Sequence, residues 1–145
     1  MADVVDAPTR SRMMSTIRGS NTGPELRLRR ALHTAGLRFR LHRKDLPGRP
    51  DIVLPRHRLV IFVHGCFWHR HEGCRNATNP ATRPEFWKDK FRSNVNRDVR
   101  NETLLVEAGW RVGIVWECSI KKHAPEYLVA EIRGWLAGSS PRLEI

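Results

Sequence analysis

No apolar run in the sequence approaches the length of a membrane span, and the first ten residues lack the apolar core of a secretion signal. Neither a membrane protein nor an exported one is expected. Cysteine is scarce: Cys66, Cys74 and Cys118 are an odd set that builds no disulfide framework. A reducing, cytoplasmic location follows, where metal binding is the better use for thiols. Acidic residues are also few, 15 against 26 Lys and Arg, and the formal charge of +11 suits a polyanion partner. Each phosphate such a protein neutralises releases counterions and adds affinity. Apolar residues, by contrast, are plentiful. At 40% of 145 residues they suffice for one domain, 1–145, with a single modest core, which excludes general disorder.

Residues 1–20 are polar and basic, with Arg10, Arg12 and Arg18 spaced by Ser, Thr and Met, and read as an arm or short helix ahead of a core over 21–137. Thr22-Gly-Pro-Glu25 has the spacing of a capping box, with Pro24 where its missing N–H costs nothing. Leu28, Ala31, Leu32 and Ala35 mark the apolar face of the helix that follows, and Gly36 ends it. Asp51-Ile-Val-Leu54 and Arg58-Leu-Val-Ile-Phe-Val63, joined by Pro55-Arg-His57, predict an antiparallel hairpin whose second strand is central and buried. Residues 65–84 have no periodicity and read as a long loop, a type that is usually functional or held by something. Two helical pieces are expected over Pro84–Phe91 and Val95–Ala108, then a third strand over Trp110–Trp116. A last helix follows with Leu128, Ile132, Trp135 and Leu136 inward, and 138–145 form a tail. The expected class is α/β, a mixed central sheet flanked by helices.

Within the long loop, Cys66, His71 and Cys74, joined by Cys118 at the end of the third strand, supply four soft ligands for a closed, structural Zn²⁺ site. Unrelated thiols beside a surface histidine would look the same. His69-x-His71 also resembles the paired ligands of zinc hydrolases, with Glu72 as the local acid. Pro50-Asp51 at the head of a strand is how nucleases of the PD-(D/E)-x-K type place a metal-binding carboxylate, although Pro-Asp is common turn chemistry too. The second strand departs from that pattern: Ile61-Phe-Val63-His64 stands where a carboxylate and a lysine are expected, so a backbone carbonyl must contribute. With the lysine missing, His69 is the natural general base, since histidine titrates near neutrality. Asp98 is its most plausible carboxylate partner, although such a residue taken alone is more often an ordinary helix-face charge paired with Arg97 or Arg100. Glu25 has a full explanation as the capping acid.

The runs Leu46-Pro-Gly-Arg-Pro-Asp51 and Val60-Ile-Phe-Val-His-Gly-Cys-Phe-Trp-His69 resemble the very-short-patch repair endonucleases. So do Pro80-Ala-Thr-Arg83, Glu85-Phe-Trp87, Gly109-Trp-Arg-Val112 and Val115-Trp-Glu-Cys118, and the likeness extends to about residue 135. The resemblance implies a restriction-endonuclease-like fold with structural zinc and a Mg²⁺-dependent nick 5′ to the thymine of a T·G mismatch left by 5-methylcytosine deamination. It makes Asp51 the Mg²⁺ ligand with the Val63 carbonyl, His69 the base, and Asp98 its partner. Glu25 and His64 hold metal-bound water; Cys66, His71, Cys74 and Cys118 bind zinc; and Phe67, Trp68 and Trp87 form a wedge that enters the base stack. The implied partners are mismatched double-stranded DNA and a mismatch-repair matchmaker protein, and the implied setting is a monomer on a bacterial nucleoid. Two departures stand out: Val63 where some members have threonine, and a His71–Cys74 spacing one residue longer than in some.

Overall fold

A computed structural model describes residues 21–145; the basic arm expected over 1–20 lies outside them. Helix α1 (Gly23–Thr34) begins as its sequence dictates, Thr22 Oγ1 accepting the Glu25 N–H at 3.3 Å. The reciprocal bond of the box is shifted by one residue, with the Glu25 carboxylate accepting from Asn21 N–H at 3.0 Å. Strands β1 (Arg40–Leu41), β2 (Ile52–Leu54) and β3 (Leu59–His64) pair antiparallel in order, β2 and β3 joined by a 3-10 turn at Pro55–His57. Helix α2 (Pro84–Glu107) then crosses to β4 (Arg111–Trp116), which runs parallel to β3. Helices α3 (Glu117–Lys122) and α4 (Pro125–Ala137) follow, and β5 (Arg142–Glu144) adds parallel to β4.

The result is a five-stranded mixed sheet with β3 at its centre. Side chains alternate across it, as the two-residue strand period requires. Ile52, Leu54, Leu59, Ile61 and Val115 face α1, α3 and α4 through Leu28, Leu32, Ile120, Leu128, Ile132 and Trp135. Val53, Val60, Val112, Ile114 and Trp116 form the opposite face, with Leu105 of α2 and Trp110. Gly113 sits among large residues for a steric reason: a Cβ there would lie 2.9 Å from the Trp135 ring.

Three sequence readings change. The two helical pieces are one 24-residue helix. Residues 138–145, read as a tail, contain β5, whose Glu144 carboxylate accepts the Trp116 Nε1–H at 2.9 Å. The short strand β1 and helix α3 were not anticipated, so Cys118 stands in the first turn of a helix and not on a strand. Among the described residues no helix is long and apolar enough to cross a membrane.

Candidate active site and metal centre

The ends of β2 and β3 and one side of α2 converge on a cleft of about 930 Å³ lined by Asp51, Val63, His64, His69 and Asp98. Lys44, Arg49, Arg97 and Arg100 also border it, giving the cleft a cationic rim. A groove of similar size, about 980 Å³ between α1 and α4, holds none of the clustered histidines or cysteines.

Asp51 stands just before β2, and its Oδ2 accepts the Val63 N–H of β3 at 2.7 Å. The loop that carries it rests against α2 at Gly48, which has φ +76°, and a Cβ there would meet the Asn101 side chain at 2.9 Å. Burial pushes the Asp51 carboxyl up to about 7, and nearby Glu25 acts in the same direction, against the Val63 hydrogen bond. The ionised form of a carboxylate so largely withdrawn from water is the form that a bound cation would favour. Glu25, 1% exposed, is the closest second carboxylate, and His42 Nε2 lies 2.8 Å from its Oε2. These three side chains offer ligand atoms within 4.8 Å of one another.

His69 Nδ1 lies 2.6 Å from Asp98 Oδ2. A carboxylate there accepts from Nδ1–H, which leaves Nε2 as the ring nitrogen able to take a proton. The His69 ring stacks on His64 at 3.8 Å and 5°. Burial first, and the neighbouring His69 second, hold His64 down to about 3, so it is uncharged at neutral pH. Two features of the loop seat His69: its N–H donates to Gly65 O at 3.0 Å, and Asn94 Nδ2 of α2 donates to Trp68 O at 3.2 Å.

Cys66, His71, Cys74 and Cys118 place four ligand atoms within 4.8 Å. His71 Nδ1 is 3.6 Å from Cys66 Sγ and 3.4 Å from Cys118 Sγ. Tetrahedral zinc with ordinary bond lengths sets S···N near about 3.6 Å, so the donor set fits that ion. The His71 ring stacks on Trp116 at 4.1 Å, and Glu117 Oε1 accepts the Cys66 N–H at 3.1 Å. Burial raises the Cys66 thiol, a cost that coordination to a cation removes.

The same loop has a second fastening that no spacing rule indicated. Arg70 donates to the carbonyls of Phe67, Ala77 and Thr78 and to Asn79 Oδ1, and its guanidinium lies 3.9 Å from the centre of the Phe91 ring. Phe67 meets Trp68, Trp87 and Phe91 edge-on at 5.0–5.7 Å. Phe67 and Trp68 are half-buried at the rim of this cluster, whereas Trp87 is 7% exposed and forms its floor. Sequence reading also passed over His42, Asn94 and Glu117, each a lone polar residue whose partner is remote in the chain.

The family model described as DNA mismatch endonuclease Vsr matches residues 2–76. The chain is 46% identical to the DNA mismatch endonuclease Vsr of Escherichia coli K12, across the whole chain and 94% of that protein. It is 51% identical to the type II nicking enzyme V.XorIIP of Xanthomonas oryzae pv. oryzae over 83% of the chain and 88% of that protein. Identity to V.NmeAIP, a type II nicking enzyme of Neisseria meningitidis, is 40% over 86% of the chain and 88% of that protein.

Proposed function

Since the chain belongs to the Vsr family of DNA mismatch endonucleases, we propose that it nicks one strand of double-stranded DNA on the 5′ side of the thymine in a T·G mismatch, acting as a monomer. Such mismatches arise when 5-methylcytosine deaminates. The observation that carries the reading is the single cleft that holds a strand-borne carboxylate and a His–Asp pair beneath a basic rim. The fold proposed is that of the restriction endonucleases, with Ile61-Phe-Val63-His64 of β3 standing where the second carboxylate and the lysine are expected.

Asp51 and the Val63 carbonyl are the proposed holders of Mg²⁺, with Glu25 and His64 holding its water. The ion supplies charge neutralisation at the phosphate under attack. His69 Nε2 receives the proton of the attacking water, and Asp98 keeps the ring in the required tautomer and offsets the charge that develops. The neutral His64 ring supports His69 face-on without competing for that proton. Lys44, Arg49, Arg97 and Arg100 are placed to receive backbone phosphates. Cys66, His71, Cys74 and Cys118 hold a structural Zn²⁺ that fixes the path of the loop from Cys66 through His69. Phe67 and Trp68 enter the stack beside the wobble pair, where unstacking costs least, with Trp87 as the buttress behind them.

Duplexes with one T·G mismatch, and paired controls, incubated with zinc-loaded protein and Mg²⁺, test the reading. Scission confined to the thymine-bearing strand of the mismatched duplex and stopped by EDTA is expected; tight binding without a nick under any divalent metal would overturn it. His69→Ala should slow single-turnover nicking by about 10²–10⁴-fold, and Asp98→Asn by a comparable factor, with mismatch binding retained. A loss of less than about tenfold in His69→Ala would remove it from the role of base.

A further inference from the structure

β1 ends at Leu41 opposite Ile52, and the next step of the ladder sets His42 N–H on Asp51 O at 3.2 Å. His42 has φ +47°, an uncommon backbone for a residue with a side chain. Its ring reaches the buried Glu25 carboxylate and the partly buried Asp51 carboxylate from the side opposite β3: Nε2 is 2.8 Å from Glu25 Oε2 and 4.0 Å from Asp51 Oδ1. Adjacent donors on an octahedron with bonds of about 2.1 Å are about 3 Å apart, and opposite ones about 4.2 Å. His42 Nε2 and Asp51 Oδ1 therefore already stand near two vertices of one coordination sphere, with the Glu25 carboxylate close enough to hold a water of the same ion. Among the described residues, Arg29 Nη1, 3.3 Å from Glu25 Oε2, and Asn21 N–H, on Oε1, are the other groups on this carboxylate.

We propose that His42 Nε2 is a direct ligand of the catalytic cation. One imidazole nitrogen beside the Asp51 carboxylate shifts the preference of the site from Mg²⁺ toward first-row transition ions; even Mn²⁺, the least nitrogen-seeking of that series, accepts imidazole more readily than Mg²⁺ does. The inference rests on the reading of Asp51 as a metal ligand.

The probe is Mn²⁺ added to zinc-loaded protein, the thiolates keeping their zinc. Pulsed electron paramagnetic resonance of the Mn²⁺ complex should show a directly bonded ¹⁴N nucleus, which changes to ¹⁵N when histidine is labelled. In His42→Gln the nitrogen coupling should vanish and Mn²⁺ affinity fall about tenfold or more, while Mg²⁺ affinity changes by less than about threefold. No nitrogen coupling in the wild-type protein overturns the inference, with no variant needed. Coupling that persists in His42→Gln, or an unchanged ratio of Mn²⁺ to Mg²⁺ affinity, also overturns it. Asp51→Ala separates the two levels. Mn²⁺ binding lost there but untouched in His42→Gln defeats only the His42 proposal, whereas Mn²⁺ binding unchanged in Asp51→Ala defeats the metal site itself.

Discussion

Asp51→Asn is expected to abolish nicking and, in the zinc-loaded protein without Mg²⁺, to raise the melting temperature at pH 8. Both effects have one cause. Burial holds the Asp51 carboxyl at about 7, above its ordinary 3.8, so the folded chain binds its proton more tightly than the unfolded chain does. For a group shifted upward, stability is greatest below the unfolded value, falls as pH rises through the window from about 4 to about 7, and carries the full penalty above it. Three units correspond to a ceiling of about 4 kcal/mol. Relaxation and the amide's own contacts should leave a gain of about 1–2 kcal/mol, or about 3–8 °C. The gain should shrink toward pH 5, where the wild-type carboxyl is itself protonated. An Asn oxygen can still accept the Val63 N–H, so the fold has no reason to suffer. Nicking should fall by at least about 10³-fold, because an amide is a poor hard-ion ligand. Calorimetry at pH 5 and pH 8, paired with a single-turnover assay, reads both. Equal melting temperatures at pH 8, or retained nicking, would contradict the account of this carboxylate.

Cys118→Ser should act through the other centre. Zinc content is expected to fall below one equivalent, and the melting temperature to drop by roughly 10 °C, which corresponds to about 3–5 kcal/mol. Nicking should fall with it, since the proposed base is three residues from Cys66 and takes its position from the loop. The sheet should persist, because its two faces are filled by apolar residues from five strands and four helices. Arg70 also keeps four hydrogen bonds to the loop that do not involve the thiolates. Atomic absorption and thermal melting on the same sample decide it. Full zinc content in the variant would show that the four-ligand set is wrong.

Local chemistry explains how much of this was legible in advance. The cap at Thr22, the β2–β3 hairpin and the buried central strand follow from short-range preferences, and they appear in the expected places. The cysteines and His71 converge because their strand and loop ends converge. What the chain concealed is tertiary in origin. Ser93-Asn94 reads as a break between helices, yet the Asn94 side chain bonds Trp68 O and the helix runs through. Arg142-Leu-Glu144 is too short and too charged to announce a strand; pairing with β4 and the Glu144 bond to Trp116 hold it. The family resemblance presents Trp87 to DNA, but it packs against Phe67, Trp68 and Phe91 and is buried. His42 belongs to no spacing motif, since its partners are Glu25 on a helix and Asp51 across a strand pair.

Helix α2 links two tasks that the sequence keeps apart. Trp87, Phe91, Asn94 and Asp98 lie at offsets of four, seven and eleven residues, which puts them on one face of an uninterrupted helix. Eleven residues are about three whole turns and about 16 Å of rise. The aromatic floor and the carboxylate beside His69 are thus two marks on one rigid gauge. A residue inserted between them would move Asp98 only about 1.5 Å along the axis but swing it by about 100°. The placement of the aromatic floor relative to the Asp98 carboxylate is therefore set by rotational phase, which a substitution in this stretch of helix preserves and an insertion does not.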